Sequence, residues 1–330
     1  MSPTIIDIHS HHYPRWYIEL LKARTEIPRV TEDEAGCERF VIFPGEEGLV
    51  LGGEYWDLSV KLAFMDKIGI SVTVLSLGNP WLDPFPGSSG IELARRLNSE
   101  FATLQQRTNG RVVGMGALPA DSVDAAATVA REIAFTDTLY GVAVGTRICG
   151  RTLDDSALDA LWAVLEETRL PVFLHPHHIA AAEDLAGFGR SFPIGMGFPF
   201  ETTISLARLI YGGVLQKFPH LELVAAHGGG TIPFLSGRLD AAWKSDPRAQ
   251  DLTSELPSRD LAKVACDAVL YDVGAMQATA SLVGTQRMAF GTDHPFSNDP
   301  SSTLDAVAAF DEADRNHVLH ETARRIFRLP

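Results

Sequence analysis

Cysteine is scarce: the 330 residues contain three, Cys37, Cys149 and Cys266. An odd number of widely separated cysteines outlines neither a disulfide framework nor a Cys-x-x-Cys zinc site, so the expected setting is the reducing cytoplasm. Positive charge is also in short supply, with 28 Lys plus Arg against 42 Asp plus Glu and a net charge of −14. Nucleic acids and anionic membranes are held by clustered Lys and Arg, and neither is expected as a partner. No apolar run approaches the roughly 18–20 residues needed to span a bilayer. The opening MSPTIIDIHSHHYP lacks the basic and apolar regions of a signal peptide. Low-complexity tracts and solenoid repeats are missing too. The remaining balance, 45% hydrophobic and 21% charged, is that of a globular protein with a sizeable core.

What is present is alternation. Short β-rich apolar runs occur at Thr4–Ile8, Ser71–Leu75, Val112–Ala117, Tyr140–Val144, Pro171–Leu174, Leu221–Ala226, Ala268–Asp272 and Arg287–Phe290. Near-continuous apolar strands of this kind are covered on both faces, as in parallel sheets. Segments with helical spacing lie between them. In Asp57–Ile68, Leu58, Leu62 and Met65 form the apolar stripe and Gly69 the stop. Further helices are expected at Ile91–Phe101, Asp121–Phe135, Asp154–Thr168, Thr202–Tyr211, Ile232–Trp243, Met276–Val283, Thr303–Phe310 and Arg315–Phe327. Eight strands, each followed by a helix, predict an α/β fold of the (β/α)8 TIM-barrel type over residues 1–330. The competing doubly wound sheet needs a Gly-x-Gly-x-x-Gly turn after the first strand, where HSHHYP stands instead. Residues 12–54 are too many for a βα loop and read as an insertion subdomain beside the barrel mouth.

Barrel chemistry sits at the C-terminal ends of the strands. His9 and His11 follow the first run, His175 the fifth, His227 the sixth and Asp293 the eighth. Residues i and i+2 of a strand project to the same side, so His9 and His11 reach the mouth together. A lone His-x-His is usually incidental, but four imidazoles and a carboxylate arriving on one rim point to a metal site. Nitrogen and oxygen donors without thiolate suit catalytic Zn2+, with Mn2+ second. Asn79 and Trp81, after the second run, offer an amide and an aromatic wall or simply a turn. Phe296 either stacks on a planar substrate or packs. The Gly228–Gly230 run lets the backbone turn tightly beside the pocket.

At these residues the sequence resembles the amidohydrolase superfamily, and within it the metal-dependent decarboxylases of the aminocarboxymuconate semialdehyde decarboxylase type. The motifs are DIHSHHYP (Asp7–Pro14), FLHPH (Phe173–His177), GFPFETT (Gly197–Thr203), AHGGGTIPFLSGR (Ala226–Arg238) and FGTDHPF (Phe290–Phe296). LSLGNPWLDPF (Leu75–Phe85) is similar to isoorotate and 6-methylsalicylate decarboxylases. The resemblance implies one metal per chain held by His9, His11, His175 and Asp293, with His227 beside it as a catalytic group. It implies substrate contacts from Asn79 and Phe296. It also implies a homodimer, or a dimer of dimers, in which Arg238 reaches the neighbouring subunit's site. One departure concerns specificity. The isoorotate enzyme grips its substrate with an arginine before the first barrel helix, whereas Gly48–Tyr55 contains none, so a phenolic acid fits at least as well.

The expected reaction is non-oxidative decarboxylation of an aromatic acid bearing an oxygen ortho to the carboxylate. Asp293 acts as proton donor, His227 stabilises developing charge, and Trp81 and Phe296 hold the ring faces. The alternative is hydrolysis of a lactone or amide at the same metal. No lysine stands at an expected strand end to bridge two metals, so a mononuclear site is expected. A non-catalytic metal-bound scaffold is the third possibility.

Overall fold

The computed structural model describes residues 4–297 and 299–329. Eight parallel strands lie in sequence order around one sheet: β1 (Ile5–His11), β2 (Ile70–Ser76), β3 (Val112–Ala117), β4 (Leu139–Gly145), β5 (Val172–His175), β6 (Leu223–Ala225), β7 (Ala265–Asp267) and β8 (Met288–Ala289). The sheet curls back on itself. Ile8 N donates to Phe290 O at 3.0 Å, and Ser10 forms a parallel bridge with His294. Helices follow the strands as the alternation predicts, so the fold is a (β/α)8 barrel. No helix among the described residues is long and apolar enough to cross a membrane.

Two apolar clusters hold it together. One fills the lumen with Ile6, Ile8, Val74, Val113, Met115 and Phe173, joined by Ile326 and Phe327 of the last helix. Phe327 lies against Gly141 at the start of β4, so this helix seals the N-terminal end of the barrel. The other cluster packs the strands against the surrounding helices. Each fully buried Leu, Ile, Val or Phe side chain contributes about 1.5–3 kcal/mol by leaving water. The segment after β1 forms a helix, Arg15–Lys22, and an antiparallel sheet of Arg29–Glu32, Glu38–Val41 and Leu49–Val50. Its Tyr17, Ile18, Leu21 and Phe40 are buried in that second cluster.

The structure corrects three expectations. The seventh strand is Ala265–Asp267, not Ala268–Asp272. Ala268 and Val269 are buried and apolar; Ala268 N still donates to Ala289 O at 2.9 Å, but the chain leaves the sheet after it, with Leu270 N turning back to Ala268 O. β1 runs on to His11, so the His-x-His pair lies within the strand rather than after it. Helix Leu58–Ile68 is stopped by left-handed Gly69 as read and buries Met65 of the expected stripe, but Leu58 and Leu62 are only half-buried against the core, Asp57 is its N-cap, and the other fully buried residue is Lys61.

Candidate metal centre

β1 changes its inward face part-way along. Its register with β2 is irregular between Asp7 and Ser10. Ile6 and Ile8 enter the lumen below the irregularity, while His9 and His11 face the mouth above it, as a bulge allows. β5 ends on His175, His227 follows β6, and Asp293 follows β8. Ring centroids lie 5.1 Å apart for His9 and His11, 5.0 Å for His9 and His175, and 5.2 Å for His9 and His227. Asp293 Oδ1 stands 3.3 Å from Nε2 of both His9 and His11, and its Oδ2 lies 3.8 Å from His227 Nε2. Donor atoms of His9, His175, His227 and Asp293 all fall within 4.8 Å of one another. The structure thus brings together all five residues read from the rim.

Behind them stand groups that fix their tautomers. His9 Nδ1 lies 2.6 Å from Oδ2 of Asp267, the last residue of β7. Donation from Nδ1–H leaves the Nε2 lone pair facing the mouth, the usual arrangement of a ligating imidazole backed by a carboxylate. Asp267 also accepts from the backbone N–H of His227, Gly228 and Val269, so one carboxylate holds both β1 and the turn after β6. His11 Nδ1 is 3.1 Å from Ser76 Oγ, its register partner on β2. Lys61, fully buried, donates to Ser10 Oγ at 2.8 Å and to the carbonyl of His11 at 3.2 Å, and its Nζ contacts His294 Nδ1. It ties β1 to the chain after β8 from behind and is not among the residues lining the mouth cavity.

Burial holds His175 well below its ordinary range and His11 down at about 4, so both imidazoles are neutral lone-pair donors. At His9 burial also pulls downward, but Asp293 and Asp267 overcome it and raise the ring to about 10. Burial opposes the charged form of Asp293 as well, and the surrounding imidazoles nonetheless keep it well below the carboxylate range. The two carboxylates thus favour positive charge at His9, and a divalent cation bound at its Nε2 would displace the proton there. His9 Nε2, His11 Nε2, both ring nitrogens of His175, His227 Nδ1 and Asp293 Oδ1 are buried without a hydrogen-bond partner. Buried polar atoms are rarely left so, and several orphaned lone pairs converging on one point fit a divalent cation.

Above the cluster opens a cavity of roughly 290 Å³ whose floor includes His175, His227 and Asp293. Its walls are mostly apolar, and Phe296 is one of them. Asn79 reaches it with Oδ1 unpartnered, while its Nδ2 donates to Pro176 O at 3.3 Å. Trp81 does not line it: its ring stacks on His177, 5.4 Å away at 12°, and His177 Nε2 pairs with Asp83 at 2.9 Å. Arg238 lies exposed on helix Ile232–Ser245 and is also absent from this chain's cavity. Backbone strain gathers around the site. Trp81, His227, Tyr271 and Asp293 all take left-handed φ between 54° and 59°, which costs a residue with a Cβ about 1–3 kcal/mol. The glycine run is required by geometry. Gly228 and Gly230 have φ of 62° and 68°, and a Cβ on Gly230 would stand 2.2 Å from Pro199 O.

Residues 6–329 match the amidohydrolase family. The chain belongs to that family. It is 27% identical to the gamma-resorcylate decarboxylase of Rhizobium sp. (strain MTP-10005), covering 94% of this chain and 97% of the relative. The crystal structure of the Metarhizium anisopliae IDCase in apo form superposes with a TM-score of 0.93 at 32% identity, covering 99% of this chain and 98% of that one. A dihydroxybenzoic acid decarboxylase from Polaromonas sp. JS666, solved with bound manganese and 2-nitroresorcinol, shares the fold at a TM-score of 0.81 and 20% identity, covering 99% and 97%. With these relatives, this amidohydrolase is an enzyme of the carboxy-lyase class rather than a hydrolase.

Sequence reasoning missed three residues of this amidohydrolase site. Asp267 was hidden because the seventh strand was placed three residues too late. Lys61 sits on a helix whose stripe was assigned to its neighbours. Arg190, which lines the cavity, comes from a turn without periodicity. Only Asp267 left a signal: it is an acidic residue inside an apolar stretch, VACDAVL, at the end of a possible strand.

Proposed function

We propose that this amidohydrolase is a metal-dependent, non-oxidative decarboxylase of an aromatic or heteroaromatic acid with an oxygen ortho to the carboxylate. The observation that carries the reading is the convergence of partnerless lone pairs at the floor of a mostly apolar cavity. His9, His11, His175 and Asp293 would hold one divalent cation, Zn2+ or Mn2+, and His227 would stand beside it. The cation supplies Lewis-acid anchoring of the carboxylate and its ortho oxygen.

The chain's own groups do the rest. Phe296 and the apolar wall hold the ring and exclude water, which strengthens every charge interaction inside. Asn79 Oδ1 is free to accept from a ring hydroxyl. Asp293, strongly acidic in this setting, receives a proton from the substrate's phenol or a water and delivers it from a carboxyl oxygen to the carbon bearing the carboxylate. A C–H bond forms there and the C–CO2 bond breaks. Its electron pair returns to the ring and CO2 leaves. His227, 3.8 Å from Asp293, offsets the charge that develops on the way.

The working unit in this reading is a homodimer. Helix Ile232–Ser245 buries only Ile232 and leaves Phe234 87% exposed, on the same face as Arg238 at i+4. A second subunit covering that face would bring Arg238 to the neighbouring site as a carboxylate clamp.

The test is a decarboxylation screen of metal-analysed enzyme on salicylate, 6-methylsalicylate, 2,6-dihydroxybenzoate, 5-carboxyvanillate and isoorotate, read by ultraviolet absorbance and CO2 release. Turnover of at least one acid, abolished by chelator and restored by Zn2+ or Mn2+, is the expected outcome. Silence across the panel from enzyme carrying one metal per chain overturns the reading.

A further inference from the structure

Among the described residues lining the cavity there is one Lys or Arg, Arg190. It comes from the turn region between β5 and helix Phe198–Tyr211 and is held in place from across the mouth. Its Nη1 donates to Glu46 Oε2 at 2.8 Å. Glu46, itself nearly buried, is fixed by the backbone: its Oε1 accepts from Ile42 N at 2.5 Å and Phe43 N at 2.9 Å. The guanidinium carbon lies 5.7 Å from the Phe43 ring centroid. The side chain is thus packed and tethered rather than free in solvent.

Its remaining donors have no partner among the described residues. A guanidinium carries five N–H groups, and the tether uses one nitrogen. Arg190 forms no ion pair with Asp293, although both line the same cavity. The guanidinium is thus a polar group separate from Asp293 in a cavity whose lining also includes Ile194, Phe198 and Phe296. Apolar wall between two polar ends sorts ligands by where their oxygens lie.

We infer that Arg190 forms a second polar subsite, donating hydrogen bonds to an oxygen on the ring edge away from the reacting carboxylate. This rests on the decarboxylase reading above and narrows its substrate class. Glu46 already balances the guanidinium charge and would repel a second carboxylate, so the group received is a hydroxyl or a ring carbonyl. The preferred substrate then has two oxygen-bearing edges, which favours dihydroxybenzoate, carboxyvanillate or isoorotate types over salicylate and 6-methylsalicylate.

The experiment compares wild type, Arg190→Gln, Arg190→Lys and Glu46→Gln as metal-analysed holoenzymes on the same five acids. In wild type, acids with a second ring oxygen have the higher kcat/KM. Arg190→Gln raises KM for those acids by about 10- to 100-fold, the loss expected for hydrogen bonds from a charged donor, with kcat changed far less. Its penalty on salicylate is at least tenfold smaller, so the preference collapses, and Arg190→Lys restores part of it. Calorimetry of resorcinol against phenol gives a second reading independent of turnover, with selective weakening of resorcinol in Arg190→Gln. Equal losses on all acids, or no loss on any, overturn the subsite even if decarboxylation stands. If wild type decarboxylates nothing, the parent reading falls, and the resorcinol titration decides the subsite by itself.

Discussion

At the scale of single residues, Asp293 and Asp267 divide two tasks between two carboxylates. Asp293 faces the cavity and is assigned the proton transfer, so Asn in its place should lower kcat by about 10²–10⁴-fold, the usual yield of a positioned acid. Thermal unfolding of Asp293→Asn should stay close to wild type. A near-normal kcat in that variant would remove Asp293 from the chemistry. Asp267 never reaches the cavity; it orients His9 and anchors the backbone of His227 and Gly228. Asp267→Asn should therefore weaken metal affinity by about 10–100-fold, measured by competition with a chromogenic chelator. Excess metal should recover its kcat, which distinguishes orientation from catalysis. Four imidazoles and Asp293 were legible in the sequence because each stands at the end of an apolar run, where a barrel places its chemistry. Asp267, Lys61 and Arg190 were not, because their roles depend on which way a side chain turns after the strand or helix is placed.

At the scale of elements, legibility depended on context more than on length. The short β6 and β8 fall within the apolar runs that predict them, whereas the apolar context of β7 continues past Asp267 into Ala268 and Val269. Burial without sheet pairing looks the same in sequence as burial with it. The helix Leu58–Ile68 shows the related failure: the stop at Gly69 is local chemistry and was readable, whereas a buried lysine satisfied by distant carbonyls is not. The turn after β6 rests on the same kind of local requirement as Gly69, but with a harder constraint. Gly230→Ala must put a methyl 2.2 Å from Pro199 O at a φ of 68°. It should cost at least the 1–3 kcal/mol of left-handed strain, visible as a Tm lowered by several degrees. An unchanged Tm would mean that the turn relaxes freely.

At the scale of the whole molecule, the last helix closes the end of the barrel opposite the rim that carries the site. Phe327→Ala, at the sealed end, removes a ring that is 1% exposed and should cost about 3–5 kcal/mol, read as a lower urea midpoint. The proposed homodimer makes a prediction of its own. Light scattering should give twice the chain mass, and Phe234→Asp, on the exposed helix face, should shift it toward one chain. Mixed samples of two inactive variants, Asp293→Asn and Arg238→Ala, should regain part of the activity if Arg238 serves the neighbouring subunit. No recovery would confine each site to its own chain.

Barrel closure joins the two ends of the sequence, with Ile8 bonded to Phe290 and Ser10 bridged to His294. Protein chains are synthesised from the N-terminus, so His9 and His11 emerge long before Asp293 exists. An unfinished chain offers two imidazoles and no carboxylate from the far end, a loose chelate that would favour copper over zinc or manganese on intrinsic affinity alone. On the proposed ligand set, the discriminating site comes into being only when β8 docks beside β1. Choice of metal is thereby deferred to the folded protein, and a chain that fails to close its barrel never acquires the means to be charged with the right ion.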